Sequence, residues 1–316
     1  MPFRRRRTVS IAHISLLAIT LFSIASGFTA FAQSSHADWL RSLESWRAER
    51  AKQISAPDGW LSLAGLEWLK SGFNSIGADP GNSIQLHTTD APPRLGLITV
   101  NGDIIQLLAP SGGFPAGLTT NGGPAREGKL DTSNEHPTVI ALKGLELVVL
   151  KRGDRYILRI KDANSPERTS FTGLHWYAPD ATYRVQARYI PYNPPQVEQI
   201  ATVIGTTLNM TAPGAVEFML KGKVYLLEPV FDGGDKNHFF FILRDETSQT
   251  TTYGGGRFLT TGLPDNGVSK PGHITIDFNK LYNPPCAYTQ YATCPLPPEK
   301  NRLSVAIEAG EQRFKQ

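Results

Sequence analysis

LELVVLKRGDRYILRIK, Leu145–Lys161, reads as two β-strands about a tight turn. In its second half Tyr156, Leu158 and Ile160 fall on one face and Arg155, Ile157, Arg159 and Lys161 on the other. That two-residue period belongs to a strand with one face in a core. Arg152, Gly153 and Asp154 spell an adhesion tripeptide, but between two such runs they read as a chance hairpin turn.

The same texture extends in both directions. SIQLHT, LITVN, DIIQLL and TVIAL precede the hairpin, and YRVQARYI, TVIGTTL, VEFML, KVYLLE, HFFFILR, HITIDF and LSVAIE follow it, most of them separated by Gly, Pro, Asn or Asp. Against these thirteen runs stands one long helical pattern, Ala37–Ile54, with Trp39, Leu40, Leu43 and Trp46 at helical spacing and Ser35 placed to cap it. The expectation is a mainly β protein of two β-sandwich or barrel-like lobes with one N-terminal helix. The polar break DANSPERT, near Asp162–Thr172, divides the lobes, giving 33–57 for the helix, 58–165 for the first lobe and 166–316 for the second. Ala109–Pro137, rich in Gly, Pro, Ser and Asn, reads as a long exposed loop.

The chain begins with Arg4–Arg7, a mostly apolar stretch from Ile11 to Phe28 and the A-x-A triplet Ala30–Ala32. This is the order of a secretory signal peptide, residues 1–32, cut after Ala32. Export predicts a periplasmic or secreted protein with no membrane span after cleavage. Removing four arginines lowers the basic count from 32 to 28, level with the 28 acids, so no basic field suited to nucleic acid remains.

The chain's two cysteines, Cys286 and Cys294, lie in the proline-rich run YNPPCAYTQYATCPLPPEKNRL, Tyr282–Leu303. In an exported chain a disulfide is the leading reading. A structural zinc needs four ligands that nothing local completes, and free thiols remain the alternative. TYGGGRFL, Thr252–Leu259, offers either a glycine turn or an anion nest with Arg257 as its grip. Around these runs cluster Asp245, Tyr253, Arg257, Asp277, Asn279, Tyr282, Asn301 and Arg302, with Glu308 and Glu311 close by, the densest polar set in the sequence. Two readings stay open for it: a ligand site walled by a rigid loop, or an internal network of hydrogen bonds and ion pairs.

IDFNKLYNPPCAYTQYATCPLPPEKNRLSVAIEAGE, Ile276–Glu311, together with TYGGGRFL, DGWLSLAGLEWL at Asp58–Leu69 and FTGLHWY at Phe171–Tyr177, closely resembles the bacterial domain of unknown function 1684 family. The resemblance implies no reaction, cofactor or partner. NSIGADPGNSIQL, Asn74–Leu86, looks like the opening of a forkhead-associated β-sandwich. Gly77 is followed by Ala78 where that family's phosphothreonine readers carry a Gly-Arg pair, and no Ser-x-x-His follows, so the likeness implies a sandwich without phosphothreonine recognition.

Known catalytic signatures are missing: no G-x-S-x-G elbow, H-E-x-x-H helix, EF-hand loop or dinucleotide fingerprint occurs. His36, His87, His136, His175, His238 and His273 are scattered and read as surface or strand residues, so no metal and no cofactor are expected. The sequence favours binding of a small polar or anionic ligand, or an envelope component, through the second lobe. A hydrolase using acids near Asp277 and a scaffold for protein contacts are the alternatives, and catalytic residues are not assigned.

Overall fold

The computed structural model describes residues 15–314, with side chains from residue 35. The basic segment Arg4–Arg7 of the expected export signal lies outside the described residues. Helix α1 runs Ser15–Ile54, so its backbone begins well before the Ala37 start read from the periodicity. Contacts divide the chain into Met1–Glu49 and Arg50–Gln316, and every strand belongs to the second unit. No described helix is long and apolar enough to cross a membrane.

The first group of strands comprises β1 (Leu63–Trp68), β2 (Gly72–Gly77), β3 (Ile84–Gln85), β4 (Gly96–Asn101), β5 (Ile104–Leu108), β6 (Thr119–Thr120), β7 (Gly123–Pro124), β8 (Gly128–Lys129), β9 (Val139–Leu142), β10 (Leu145–Arg152) and β11 (Arg155–Asp162). They form two sheets, in the orders β1-β11-β10-β9-β6-β7 and β3-β2-β4-β5-β8. Ile76, Ile98, Ile105 and Leu107 from one sheet meet Ile140, Leu147, Val149, Leu158 and Ile160 from the other in one buried cluster, which makes this group a sandwich. The region read as a loop, Ala109–Pro137, carries the short strands β6, β7 and β8. The turn at Arg152–Arg155 closes the β10–β11 hairpin with Gly153 at φ 63°.

After the short helix α2 (Pro166–Thr169), capped by Ser165, come β12 (Arg184–Ala201), β13 (Thr207–Leu220), β14 (Lys223–Leu227), β15 (Phe239–Leu243), β16 (Arg257–Thr261) and β17 (Gly272–Asp277). Their sheets run β14-β13-β12-β17 and β15-β16, and no sheet among the described residues mixes strands from the two groups. All five residues of β15 are buried, and the period of two sorts them. Phe239, Phe241 and Leu243 enter the cluster with Tyr189, Val216, Phe218 and Ile276, while Phe240 and Ile242 enter a second cluster with Leu63, Met210, Phe258 and Cys294. Leu63 of β1 thus packs against strands of the second group.

Two expected strands are absent for physical reasons. Thr202–Gly205 is the turn of the β12–β13 hairpin, closed by Thr202 N–H on the Thr206 carbonyl. Leu303–Glu308 joins no ladder: Leu303 N–H and the Val305 carbonyl bond the backbone of Arg244 and Glu246, and the side chains of Lys221, Arg257, Asp245 and Tyr183 take backbone groups of Ala306, Ile307 and Glu308.

Candidate functional site

Arg257, at the head of β16, is fully buried and points at the C-terminal strip. Its Nη2 donates to Asp245 Oδ2 at 2.8 Å and to the Ile307 carbonyl at 2.9 Å. Its Nη1 donates to the carbonyls of Ala309 and Glu311. Asp245 completes the frame by accepting from the backbone N–H of Thr247 and of Ile307. The carbonyls that a strand would have given to a ladder are therefore spent on a guanidinium. Gly256, at φ 95°, brings the chain so close to the Leu243 carbonyl that a Cβ would lie 2.5 Å from it, so the glycine run is a turn, closed by Gly256 N–H on the Tyr253 carbonyl.

Three of the remaining sequence candidates, Asn301, Asn279 and Asp277, bond within the protein. Asn301 accepts from Glu228 N–H and donates to the carbonyls of Glu228 and Ile242. Asn279 spans Asp180, with Oδ1 accepting its N–H at 2.9 Å and Nδ2 reaching its carbonyl at 2.8 Å. Asp277 caps the turn that begins at Phe278 and accepts from Asn279 N–H and Nδ2. The strand alternation expected for these two ends at Asp277, where that turn starts. Tyr253 is half-buried, and burial pushes its phenol up. Arg302 and Asp245 do line a shallow depression of about 380 Å³ beside Arg244, but both oxygens of Asp245 face the buried frame.

Cys286 and Cys294 are joined in a disulfide. The loop they close lies against a second buried pair, Arg50 and Glu311, of which the sequence reading singled out only Glu311. Arg50 Nε donates to Glu311 Oε2 at 3.0 Å, and Glu311 is fully buried. Asn283 gives Glu311 its N–H and its Nδ2, while the Tyr288 hydroxyl donates to Oε1. Burial, then the Glu311 carboxylate, holds the Tyr288 phenol well above its ordinary pKa, so it remains a donor. The Tyr282 ring lies 4.2 Å from the Arg50 guanidinium, and its hydroxyl meets Thr260 Oγ1.

A cleft of about 530 Å³ opens elsewhere, between the outer face of β9–β10–β11 and the β12–β13 hairpin. Its apolar lining comes from Val139, Val148, Leu150 and Met210. Its sheet wall carries Arg152, Arg159 and Lys161, and Thr293, beside Cys294, contributes from the disulfide loop. Lys161 Nζ is held by the Asp58 carbonyl at 2.9 Å and by Glu146 at 3.7 Å. Arg152 Nη1 donates to Asn134 Oδ1 and the Lys151 carbonyl. Arg159 is different: its Nε is buried with no hydrogen-bond partner among the described residues, and its one aromatic neighbour, Trp60, is 5.7 Å away. Burial, then the charge of Arg152, draws the Arg159 pKa down to about 10, and burial alone lowers that of Arg152. Both are charged at neutral pH and facing each other's field, an arrangement that attracts an anion.

Sequence reading placed Arg159 and Lys161 on the outer face of a strand and stopped there. The signal was present in Ile157, an apolar residue on the same face as three cations, which argues against a simply solvated surface. Asp245, Arg257, Asp277, Asn279, Tyr282 and Asn301 have internal partners, Arg302 is exposed at its depression, and Tyr253 is half-buried.

No curated protein matches the chain. The solution structure of an uncharacterised protein of Haloarcula marismortui is 34% identical, over 46% of this chain and 80% of that one, with a TM-score of 0.40. A structure from a study of phosphothreonine-dependent FHA domain interactions is 20% identical, over 30% of this chain and 92% of that one, with a TM-score of 0.21. Residues 169–312 match the family described as a protein of unknown function (DUF1684), and through that segment the chain belongs to this family.

Proposed function

We propose that this is an exported binding protein that captures a small anionic ligand in the cleft between its two β lobes. The observation that carries this reading is Arg159, a half-buried arginine whose Nε is buried with no acceptor among the described residues, set beside Arg152 in a cleft of about 530 Å³. An unpaired buried donor is costly, by about 1–3 kcal/mol, and a charge more so. A fold tolerates such a group where a ligand completes it. The second lobe takes part through Thr206, Asn209 and Asp232, so the ligand contacts expected there move from the Arg257 frame to the cleft. Export is supported by the basic, apolar and A-x-A order of residues 1–32 and by the disulfide.

The test is thermal denaturation with inorganic phosphate, citrate and chloride at matched ionic strength, for the wild type and Arg159→Met. A ligand that binds the native state alone raises its melting temperature. Phosphate or citrate should stabilise the wild type beyond chloride and leave Arg159→Met unmoved. The variant without ligand should melt at or above the wild-type temperature, because it removes a half-buried charge that has no hydrogen-bond or ion-pair partner among the described residues. A variant that instead melts several degrees lower would mark Arg159 as structural and overturn the proposal.

A further inference from the structure

The anion reading leaves the opposite lip of the cleft unexplained. Asp232 and Gly233 form it, at the start of the loop from Asp232 to His238. Asp232 and Asp235 are brought into one turn by Asp235 N–H on the Asp232 carbonyl, at 3.2 Å. The Asp235 carboxylate is occupied, by Asn237 N–H at 2.8 Å and His238 Nδ1 at 3.0 Å. Asp232 is exposed at the cleft mouth, no side chain among the described residues forms a hydrogen bond or ion pair with its carboxylate, and partial desolvation with the nearby Asp235 charge pushes its pKa up.

The cleft therefore holds two electrostatic conflicts of opposite sign. On the sheet wall Arg159 and Arg152 repel each other, and on the loop lip Asp232 and Asp235 do. Arg159 and Asp232 would relieve both by pairing, yet no ion pair joins them among the described residues. They lie on the two sides of the cleft, Arg159 on the sheet face beside its cross-strand neighbour Val148 and Asp232 next to the strand that carries Met210. A simple anion would satisfy the wall and add a third negative charge facing the lip. A ligand with opposite charges at its two ends satisfies both.

Resting on the anion-site reading above, we infer that the cleft takes a zwitterion, its carboxylate or phosphate on Arg159 and its ammonium group on Asp232. The apolar lining fits the short carbon chain between the two charges. Two sources share this chemistry, a short peptide and the phosphoethanolamine head of a lipid, and the probes separate them.

The experiment measures binding by calorimetry for two matched pairs: diglycine against N-acetyl-diglycine, and glycerophosphoethanolamine against its N-acetyl derivative. The full chain from Gln33 serves as wild type, beside Arg159→Met and Asp232→Asn. In the pair that matches the natural source, the zwitterion should bind at least tenfold more tightly than its monoanionic partner. Asp232→Asn should erase that difference while leaving the monoanion's affinity equal or higher, since it removes a repelling charge. Arg159→Met should abolish binding of every probe. Equal binding of zwitterion and monoanion in both pairs, or no effect of Asp232→Asn, would overturn the zwitterion and leave the anion site standing. Failure of all four probes to bind the wild type would overturn both.

Discussion

Arg50 and Glu311, 261 positions apart, meet through a guanidinium Nε donating to a carboxylate Oε2 at 3.0 Å, with the Glu311 side chain wholly shielded from water. Two charges removed from solvent are tolerable only when their remaining donors and acceptors are met, and here Asn283 and Tyr288 meet them. Removing one partner strands the other. Glu311→Ala and Arg50→Met are each expected to lower unfolding free energy by about 3–5 kcal/mol, read from urea denaturation at neutral pH. Losses under about 1 kcal/mol would show that the pair is relaxed by water. The double variant should lose less than the sum of the two, because the second substitution removes a charge already stranded.

The Arg257 frame makes a parallel prediction with a different origin. Its guanidinium serves the carbonyls of Ile307, Ala309 and Glu311 and the Asp245 carboxylate, so Arg257→Ala opens a cavity and strands backbone acceptors and a buried acid together. A loss of about 4 kcal/mol or more is expected, enough to prevent recovery of folded protein at physiological temperature. Arg257→Lys should rescue little, since an ammonium cannot span acceptors arranged for a planar fork. If Arg257→Ala folds with wild-type stability, the frame is not what holds the C-terminal strip.

Much of this architecture was legible in the sequence. The two-residue period in RYILRIK gave its strand because burial on a pleated sheet imposes it, HFFFILR read as a strand from its short apolar run, and the hairpin at Arg152–Arg155 followed from Gly153. The turn Thr202–Gly205 was mistaken for strand because β-branched residues suit both extended runs and the arms of a hairpin. The strip after Leu303 has strand composition, but distant side chains, Arg257 and Asp245, take the backbone groups a ladder would need. Local pattern cannot register such a competitor. The polar cluster around Arg257 and Asn279 was also legible as a cluster, whereas the direction in which each side chain points required coordinates.

Gly310 lies inside the strip that both arginines hold. Its φ is 81°, and an added Cβ would come within 2.6 Å of both the Leu281 carbonyl and its Cβ. Gly310→Ala therefore combines backbone strain with a clash against fixed backbone, and is expected to lower stability by about 2–4 kcal/mol. Gly102→Ala is a suitable control, since it shares the positive φ, at 56°, with nothing within 4 Å, and its loss should stay near 1 kcal/mol. Equal losses in the two would remove the steric half of the argument.

The pH dependence of ligand binding follows from Arg159. Its pKa in the fold is drawn down to about 10, so the charged form is full at neutral pH and is lost as pH rises through that value. An ordinary arginine would remain charged throughout. Phosphate-induced thermal stabilisation should hold level from about pH 7 to 9 and then fall by about half near pH 10. The free protein's stability carries the opposite sign from this group: the penalty for the buried charge is complete below the folded value and fades above it. Lys161→Met should keep the fall near pH 10, and a curve that stays flat to pH 11 in that variant would detach the binding from Arg159.

The disulfide ties these threads to the cleft. Cys286 and Cys294 close a short loop, and the segment after Thr293 is stitched to the β12–β13 hairpin by Val203 N–H on the Cys294 carbonyl at 3.0 Å and Leu296 N–H on the Ala201 carbonyl at 2.8 Å. Thr293 reaches the cleft from inside that loop, so the bond sets one wall of the site as well as limiting the unfolded chain. For so short a loop the entropic stabilisation is about 2.5 kcal/mol, and Cys286→Ser with Cys294→Ser should lower stability by no more than that. The fold should survive, because Cys294 is only one member of a cluster that also holds Ile200, Phe240, Ile242 and Phe258. Ligand affinity should fall by about three- to tenfold, since the Thr293 wall must then be ordered on binding. The same loss of stability with undiminished affinity would place the loop outside the site and confine its role to the Arg50–Glu311 pair it lies against.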